Sequence, residues 1–129
     1  MTPVELAERE HTHTVLVVDD MPDIRQLVTI ALADEGVAVV EAHDAASAVR
    51  FAGMLPFDCV LLDQLMPGLQ GTDILPDLRR LLPRARIVMF SCDESVERLA
   101  IALGADLFVR KDSSIDDVVG HLRTTVPLT

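Results

Sequence analysis

The sequence contains few aromatic residues, few cysteines and little positive charge, and each shortage narrows the classes of protein it can encode. Among its 129 residues, 3% are aromatic, none of them tryptophan or tyrosine, whereas 50% are hydrophobic. The core must therefore consist mainly of aliphatic side chains, which favours buried parallel strands over an aromatic-rich sandwich. A chain of this length corresponds to one domain with a core large enough for stability.

The charge balance is acidic. The 11 lysines and arginines are outnumbered by 21 aspartates and glutamates, which gives a net charge of -10. Such a surface repels nucleic acids and anionic lipids, so we expect no direct nucleic-acid binding by this segment. A metal cation, or a cationic patch on a partner protein, is the natural complement.

Two cysteines and the absence of long apolar runs indicate the compartment. Cys59 and Cys92 each lie in or beside a short apolar run, which predicts buried, reduced thiols that pack in the core rather than a disulfide. No run approaches the roughly 18 apolar residues of a transmembrane helix, so no membrane span is expected. With no signal-like N-terminus, the sequence predicts a cytoplasmic protein.

Short apolar runs alternate with helical patterns. The runs have the length and composition of buried strands, and they cover residues 15–18, 37–40, 57–62, 86–90 and 106–109. Apolar residues from Ile24 to Leu32, including Leu27, recur at helical spacing, with Pro22 in the first turn and Gly36 as a stop.

Three more helices follow from the same spacing. One begins after Asp44 as N-cap, one includes Leu99 and ends before Gly104, and one follows Ser113–Ser114. The pattern over residues 73–82 is weaker because Pro76 is tolerated only near the start of a helix. It therefore predicts a helix that begins around residue 73.

Strict alternation of strands and helices predicts an α/β fold with three layers. The expected architecture is a flavodoxin-like (βα)5 domain, in which a doubly wound, parallel, five-stranded sheet lies between helices. We expect a flexible N-terminal tail over residues 1–13, the domain over 14–126, and a C-terminal tail or the start of a linker over 127–129. In such sheets the functional site lies at the carboxyl ends of the strands.

Polar residues occupy those strand ends. Asp19 and Asp20 follow the first strand, Asp63 the third, Ser91 the fourth and Lys111 the fifth. Three carboxylates in one pocket require a cation or raised pKa values, and Mg²⁺ prefers such oxygen ligands. The Asp63 carboxylate is then a candidate nucleophile toward phosphorus, with the lysine and the serine as contacts for phosphoryl oxygens. Each residue alone has a structural alternative, such as a helix cap or a solvated lysine, but their combination indicates a site.

The same motifs resemble the response-regulator receiver family of two-component systems over about residues 14–126. The motifs that carry the resemblance are the segments 17–20 (VVDD), 61–68 (LLDQLMPG), 88–91 (VMFS) and 104–111 (GADLFVRK). The resemblance implies that Asp63 accepts a phosphoryl group from a histidine kinase or a histidine phosphotransfer protein. It also implies that Asp20 binds Mg²⁺ directly, Asp19 largely through water and Leu65 through its backbone carbonyl, while Lys111 pairs with the phosphoryl group.

The resemblance further implies a conformational switch and an output. Ser91 would move toward the phosphoryl group and the ring of Phe108 would rotate into the vacated space. The last two helices and the fifth strand would form a homodimer or output face. The chain would be a signalling domain rather than an enzyme, catalysing only its own phosphoryl transfer and autodephosphorylation.

Three positions depart from the family pattern. Asp112 follows Lys111 where the family usually has a proline with a cis bond, and a cis bond without proline costs about 3 kcal/mol, so this loop is expected to differ. Cys92 replaces a smaller residue beside the pocket, and Phe108 replaces tyrosine. Ser91 and the segment 111–113 (KDS) are similar to the nitrate-regulator class, which usually precedes a helix-turn-helix; a stand-alone receiver and a part of a longer regulator both remain open.

Other functions on this fold fit less well. A receiver-like docking module that signals without phosphorylation is the alternative, although it would be expected to lose the acids or the lysine. An FMN site needs phosphate-binding donors after the first strand, where this chain has Asp19 and Asp20. A dehalogenase-type phosphatase needs an aspartate two residues after its nucleophile, where this chain has Leu65.

Overall fold

The computed structural model describes residues 13–112 and 115–125 and alternates strands with helices, as predicted. The strands are β1 (Thr14–Val18), β2 (Ala38–Ala42), β3 (Cys59–Leu62), β4 (Arg86–Ser91) and β5 (Leu107–Arg110). The helices are α1 (Pro22–Ala33), α2 (Ala45–Ala52), α3 (Gly71–Leu81), α4 (Glu97–Leu103) and α5 (Ile115–Thr125), with a short 3-10 turn over Glu94–Val96 before α4. Nearly all of the predicted N-terminal tail, residues 1–12, and the predicted residues 127–129 lie outside the described residues.

The five strands form one parallel sheet in the order β2-β1-β3-β4-β5. The central strands β1 and β3 pair in register from Val15 with Cys59 to Val18 with Leu62. The ladder continues past both strands, because the Asp63 N–H donates to the Val18 carbonyl at 2.9 Å. The residues that follow β1 and β3 are therefore neighbours at the carboxyl edge of the sheet.

Helices cover both faces of the sheet, which confirms the doubly wound architecture. One apolar cluster joins sheet residues such as Leu16 to Leu75 and Leu78 on α3. The other joins the opposite face of the sheet to Val28 on α1 and Val118 on α5. Each fully buried leucine contributes about 2 kcal/mol through removal of its surface from water. Helices thus pack on both faces of the sheet, and its carboxyl edge is where a functional site is expected.

Several predicted helix boundaries are confirmed by their local chemistry. The Asp44 carboxylate accepts the Ser47 N–H at 2.8 Å and caps α2, and Pro22 occupies the first turn of α1. α4 ends at Leu103 and is followed by Gly104, whose φ of 122° is accessible to glycine and strained for other residues.

Helix α3 differs from the prediction because it begins at Gly71 rather than around residue 73. The Asp73 carboxylate accepts the Gln70 N–H at 2.8 Å, so this acid stabilises a start that lies before it. Pro76 is consequently inside the helix, on its exposed side, where it removes one intrahelical hydrogen bond.

Two leucines on the predicted apolar helix faces and one cysteine predicted to be buried are exposed. Leu27 and Leu99 are each 51% exposed, because α1 contacts the core through Val28 and Leu32 and α4 contacts it through Ala100. Cys59 is buried as expected, whereas Cys92 is exposed because it follows the last residue of β4. Both thiols are free, and none of the described helices is long and apolar enough to span a membrane.

A set of ion pairs, here called the arginine cluster (Arg79, Arg86 and Asp106), lies at the amino edge of the sheet. The Arg79 guanidinium contacts Asp106 Oδ2 at 2.7 Å and donates to the Gly104 and Ala85 carbonyls at 2.6 Å and 2.8 Å. Asp106 also accepts the Ile87 N–H at 2.9 Å and lies 3.6 Å from Arg86. The cluster joins the end of α3 to the starts of β4 and β5.

Candidate functional site

Three acids, here called the carboxylate cluster (Asp19, Asp20 and Asp63), meet at the carboxyl edge of β1 and β3. One carboxylate oxygen from each lies within 4.8 Å of the others. Asp19 and Asp63 are only 2% and 3% exposed, while Asp20 is partly exposed. The sequence prediction that these three residues converge is borne out by their placement.

The side chain of Lys111 contacts two acids of this cluster. Its Nζ lies 2.8 Å from Oδ2 of Asp19 and 3.3 Å from Oδ2 of Asp63. Its backbone N–H donates to the Ser91 carbonyl at 3.0 Å, which fixes the chain after β5 beside the end of β4. Every peptide bond between described residues is trans, so the Lys111–Asp112 bond differs from the cis bond usual in the family, as expected.

Burial and like charge perturb the titration of these groups. Burial raises the pKa of Asp63 to about 6, with the nearby Asp19 charge adding to the rise and Lys111 opposing it. Burial by itself would lower the pKa of Lys111, but the two acids outweigh it and hold that pKa above its usual value. The pocket therefore holds excess negative charge that a cation would neutralise.

The oxygen atoms of the carboxylate cluster fit a divalent cation. The buried Oδ2 of Asp19 has the ammonium of Lys111 at 2.8 Å, and this ammonium is shared with Asp63. Its Oδ1 accepts the Met21 N–H at 2.9 Å, which orients the carboxylate. Carboxylate oxygens are the ligands that Mg²⁺ prefers. The Leu65 N–H lies 3.4 Å from Oδ1 of Asp63, and the role of the Leu65 carbonyl as a ligand stays a prediction.

Ser91 and Phe108, the predicted switch residues, lie on the neighbouring strands. Ser91 is fully buried at the end of β4, and its Oγ accepts the Asp93 N–H at 3.1 Å. Phe108 is partly buried, packs against the apolar cluster around Leu75, and pairs with Met89 in the sheet. Their positions are compatible with a switch, which stays a prediction.

Sequence reasoning missed two polar residues that support the site. Arg25 donates to the Asp19 carbonyl at 2.6 Å and to Glu41 Oε1 at 3.2 Å, from the first turns of α1. Gln64 is almost fully buried directly after Asp63. A second polar residue in the apolar segment that follows β3, between Asp63 and Leu65, was the available signal for Gln64. Arg25 gave no signal, because its partners lie on two other segments.

Comparison with known proteins gives the family. Residues 15–123 match the model of the response regulator receiver domain. The probable transcriptional regulatory protein TcrX of Mycobacterium tuberculosis is 37% identical over 118 residues, which cover 90% of this chain and 50% of TcrX. The nitrate/nitrite response regulator NarL of Escherichia coli is 36% identical over 113 residues, which cover 84% of this chain and 52% of NarL. The chain thus spans about half the length of these relatives.

Solved structures agree with this match. A response regulator from Burkholderia pseudomallei with a phosphorylated aspartic acid, a calcium ion and citrate superposes with a TM-score of 0.81 at 25% identity, covering 87% of this chain and 67% of that one. The response regulator TrrA of Thermotoga maritima, in complex with Mg²⁺ and BeF, gives 0.81 at 27% identity, covering 89% and 100%. This chain belongs to the response regulator receiver domain family and is a signalling domain with a flavodoxin-like fold.

Proposed function

We propose that Asp63 accepts a phosphoryl group from a histidine kinase or a histidine phosphotransfer protein. The observation that carries this proposal is the buried Asp63 carboxylate, which lies 3.3 Å from Lys111 beside a second buried acid. The phosphorylated aspartic acid in the Burkholderia pseudomallei relative supports the same chemistry. The domain would catalyse its own phosphoryl transfer and autodephosphorylation and act on no other substrate.

In the transfer, one oxygen of Asp63 forms a bond to phosphorus while the bond from phosphorus to the donor's leaving group breaks. With its pKa raised to about 6, Asp63 is deprotonated at neutral pH and is a stronger nucleophile than an ordinary carboxylate. The Lys111 ammonium, already beside two acids, would contact a phosphoryl oxygen through a charge-assisted hydrogen bond. The Ser91 hydroxyl would contact another oxygen.

The carboxylate cluster, with the backbone carbonyl of Leu65, would hold Mg²⁺. The excess of three carboxylates over one ammonium and the all-oxygen donor set of the cluster are the observations that support this assignment. The bound ion would supply positive charge to the transferring phosphoryl group. Arg25, through its contact with the Asp19 carbonyl, would keep the β1 end of the cluster in place.

Phosphorylation would then change the packing of Ser91 and Phe108 and so the face formed by α4, β5 and α5. That face exposes Leu99 and Ile101, which supports its use in a homodimer or in contact with an output domain. The net charge of -10 argues against direct nucleic-acid binding by this segment. We place the receiver unit at residues 14–126 and the protein in the cytoplasm, where its phosphodonors operate.

The proposal is tested by incubating the protein with Mg²⁺ and a small-molecule phosphodonor and measuring intact mass. The wild type should gain one phosphoryl group, Asp63→Asn should gain none, and Asp77→Asn, at an exposed acid on α3, should behave as wild type. If the wild type gains no phosphoryl mass and beryllofluoride with Mg²⁺ leaves its NMR spectrum unchanged, the docking module that signals without phosphorylation becomes the better description.

A further inference from the structure

Gln64 is a buried polar residue directly after Asp63, and the proposed phosphoryl transfer makes no use of it. Its side chain is 2% exposed, yet both ends of the amide have partners. Oε1 accepts the Thr72 N–H at 2.8 Å, and Nε2 lies 3.0 Å from Thr72 Oγ1 and 3.2 Å from Gln70 Oε1. The Gln64 carbonyl accepts the Gly71 N–H at 3.0 Å. One residue thus bonds to three consecutive residues at the start of α3.

These bonds fasten the start of α3 to the end of β3. The Thr72 N–H belongs to the first turn of the helix, where backbone donors lack intrahelical partners. Gln64 satisfies it from eight residues upstream, instead of the residue that immediately precedes the helix. Gly71 adds a second restraint, because a Cβ at this position would overlap the backbone oxygen of Asp63. The start of α3 therefore contacts the backbone of Asp63, the proposed phosphoacceptor.

Gln64 lies between two of the groups that are proposed as ligands of the cation. The Asp63 carboxylate precedes Gln64 and the Leu65 carbonyl follows it, and the loop then runs largely exposed through residues 67–70 before it returns to α3. Gln64 joins the two ends of this loop, since it lies at the β3 end and its backbone carbonyl and side chain contact adjacent residues at the α3 end.

We infer that Gln64 is a positioning residue for the divalent cation: its bonds to Gly71, Thr72 and Gln70 hold Asp63 and Leu65 in the orientation that binds the ion. The inference rests on the proposed function for the ion's identity and for its ligands. Residues that orient metal ligands through hydrogen bonds commonly contribute to metal affinity, which falls by about 10- to 100-fold when they are removed. The side chain that does so here is an amide, which adds no charge to the acidic pocket.

The test compares Gln64→Met with Gln26→Met, the same substitution at an exposed position of α1. Methionine keeps the length of glutamine and removes its hydrogen bonds. Mg²⁺ affinity is measured by calorimetry, and exchange of the Thr72 amide proton is followed by NMR. We expect Gln64→Met to weaken Mg²⁺ binding about tenfold and to accelerate that exchange, and Gln26→Met to do neither.

Faster exchange of the Thr72 amide with unchanged Mg²⁺ affinity would show that Gln64 only caps the helix, and would overturn the inference. If Gln64→Met does not fold in a thermal melt, Thr72→Ala takes its place, since it removes the hydroxyl contact alone; a weakening of smaller size and the same sign supports the inference, and no change overturns it. Phosphorylation of the wild type is measured in parallel. A wild type that binds Mg²⁺ but takes no phosphate contradicts the proposed function and leaves the positioning result standing.

Discussion

The two edges of the sheet both carry charged clusters, but they are built in opposite ways. At the amino edge, the arginine cluster places two guanidinium groups around one carboxylate, and almost every donor of Arg79 reaches a carbonyl or Asp106. At the carboxyl edge, the three carboxylates of the carboxylate cluster have one ammonium, that of Lys111, within ion-pair distance among the described residues. One edge is electrostatically saturated and the other is not.

The difference separates a structural role from a reactive one. A saturated buried network stabilises one arrangement and gains little from a ligand. A buried cluster of like charges costs stability, and that cost is reduced whenever a cation or a bond to phosphorus neutralises it. Perturbed acids in such a setting are candidates for function. Three substitutions test whether the two edges differ in this way.

The largest effect is expected at the amino edge. Arg79→Met should lower the free energy of unfolding by about 2 to 4 kcal/mol, because carbonyls of the α3, β4 and β5 segments lose their donor. Arg80→Met is the matched control, since the Arg80 side chain is 70% exposed against 27% for Arg79 and forms an exposed ion pair with Asp77. Urea denaturation gives both values. Equal losses of unfolding free energy in the two variants would contradict the structural role of Arg79.

At the carboxyl edge, removal of a charge should have the opposite sign. Asp63→Asn should raise the free energy of unfolding by about 1 to 2 kcal/mol at neutral pH in a metal chelator, after allowance for solvent screening. Because the pKa of Asp63 is about 6 when folded and 3.8 ordinarily, the folded protein binds more protons between these values. Stability of the wild type therefore falls as pH rises through this window, and the advantage of Asp63→Asn shrinks as pH is lowered through it.

Urea denaturation midpoints of the wild type and Asp63→Asn, measured from neutral to mildly acidic pH, give the difference in their stability directly. A constant advantage across the window would mean that Asp63 titrates as an ordinary surface acid.

The smallest effect is expected for Lys111. Lys111→Met removes a favourable contact with two acids but also removes the cost of burying an ammonium, so the net loss of stability should be about 1 kcal/mol or less. The pKa of Asp63 should nevertheless rise further, which carbon-detected NMR of the carboxyl group would measure. Arg110→Gln is the control, because its guanidinium is half exposed and pairs with Glu94 and Asp112. An unchanged pKa of Asp63 in Lys111→Met would show that Lys111 does not lower this pKa.

Much of the fold and the charged centre of the site could be predicted because their signals are local in the sequence. Apolar runs gave the strands, Asp44 and Gly104 gave two helix boundaries, and Asp63 stood directly after a buried strand. The rule that parallel strands end at one edge then brought the acids together without any knowledge of contacts. Chain direction and strand order were sufficient for this step.

The parts that escaped prediction depend on partners that are distant in the sequence. Arg79 binds a carbonyl 25 residues away, and Gln64 binds a helix that begins seven residues later. Spacing also cannot say how much of an apolar helix face the sheet will cover, so Leu27 and Leu99 lie on predicted apolar faces and are nevertheless exposed. Such features require the packed structure.

The contact between Gly71 and the backbone of Asp63 has a consequence for how the sequence can diverge. Any side chain at residue 71 would displace α3 from the phosphoacceptor, so that position is closed to substitution for steric reasons alone. Pro67 and Leu69, in the loop before α3, are exposed, whereas Gly68 has a φ of 79° that other residues rarely adopt and Gln70 contacts Gln64. Substitutions at the two exposed positions can therefore accumulate, while the packing of Gly71 keeps the backbone of Asp63 in place.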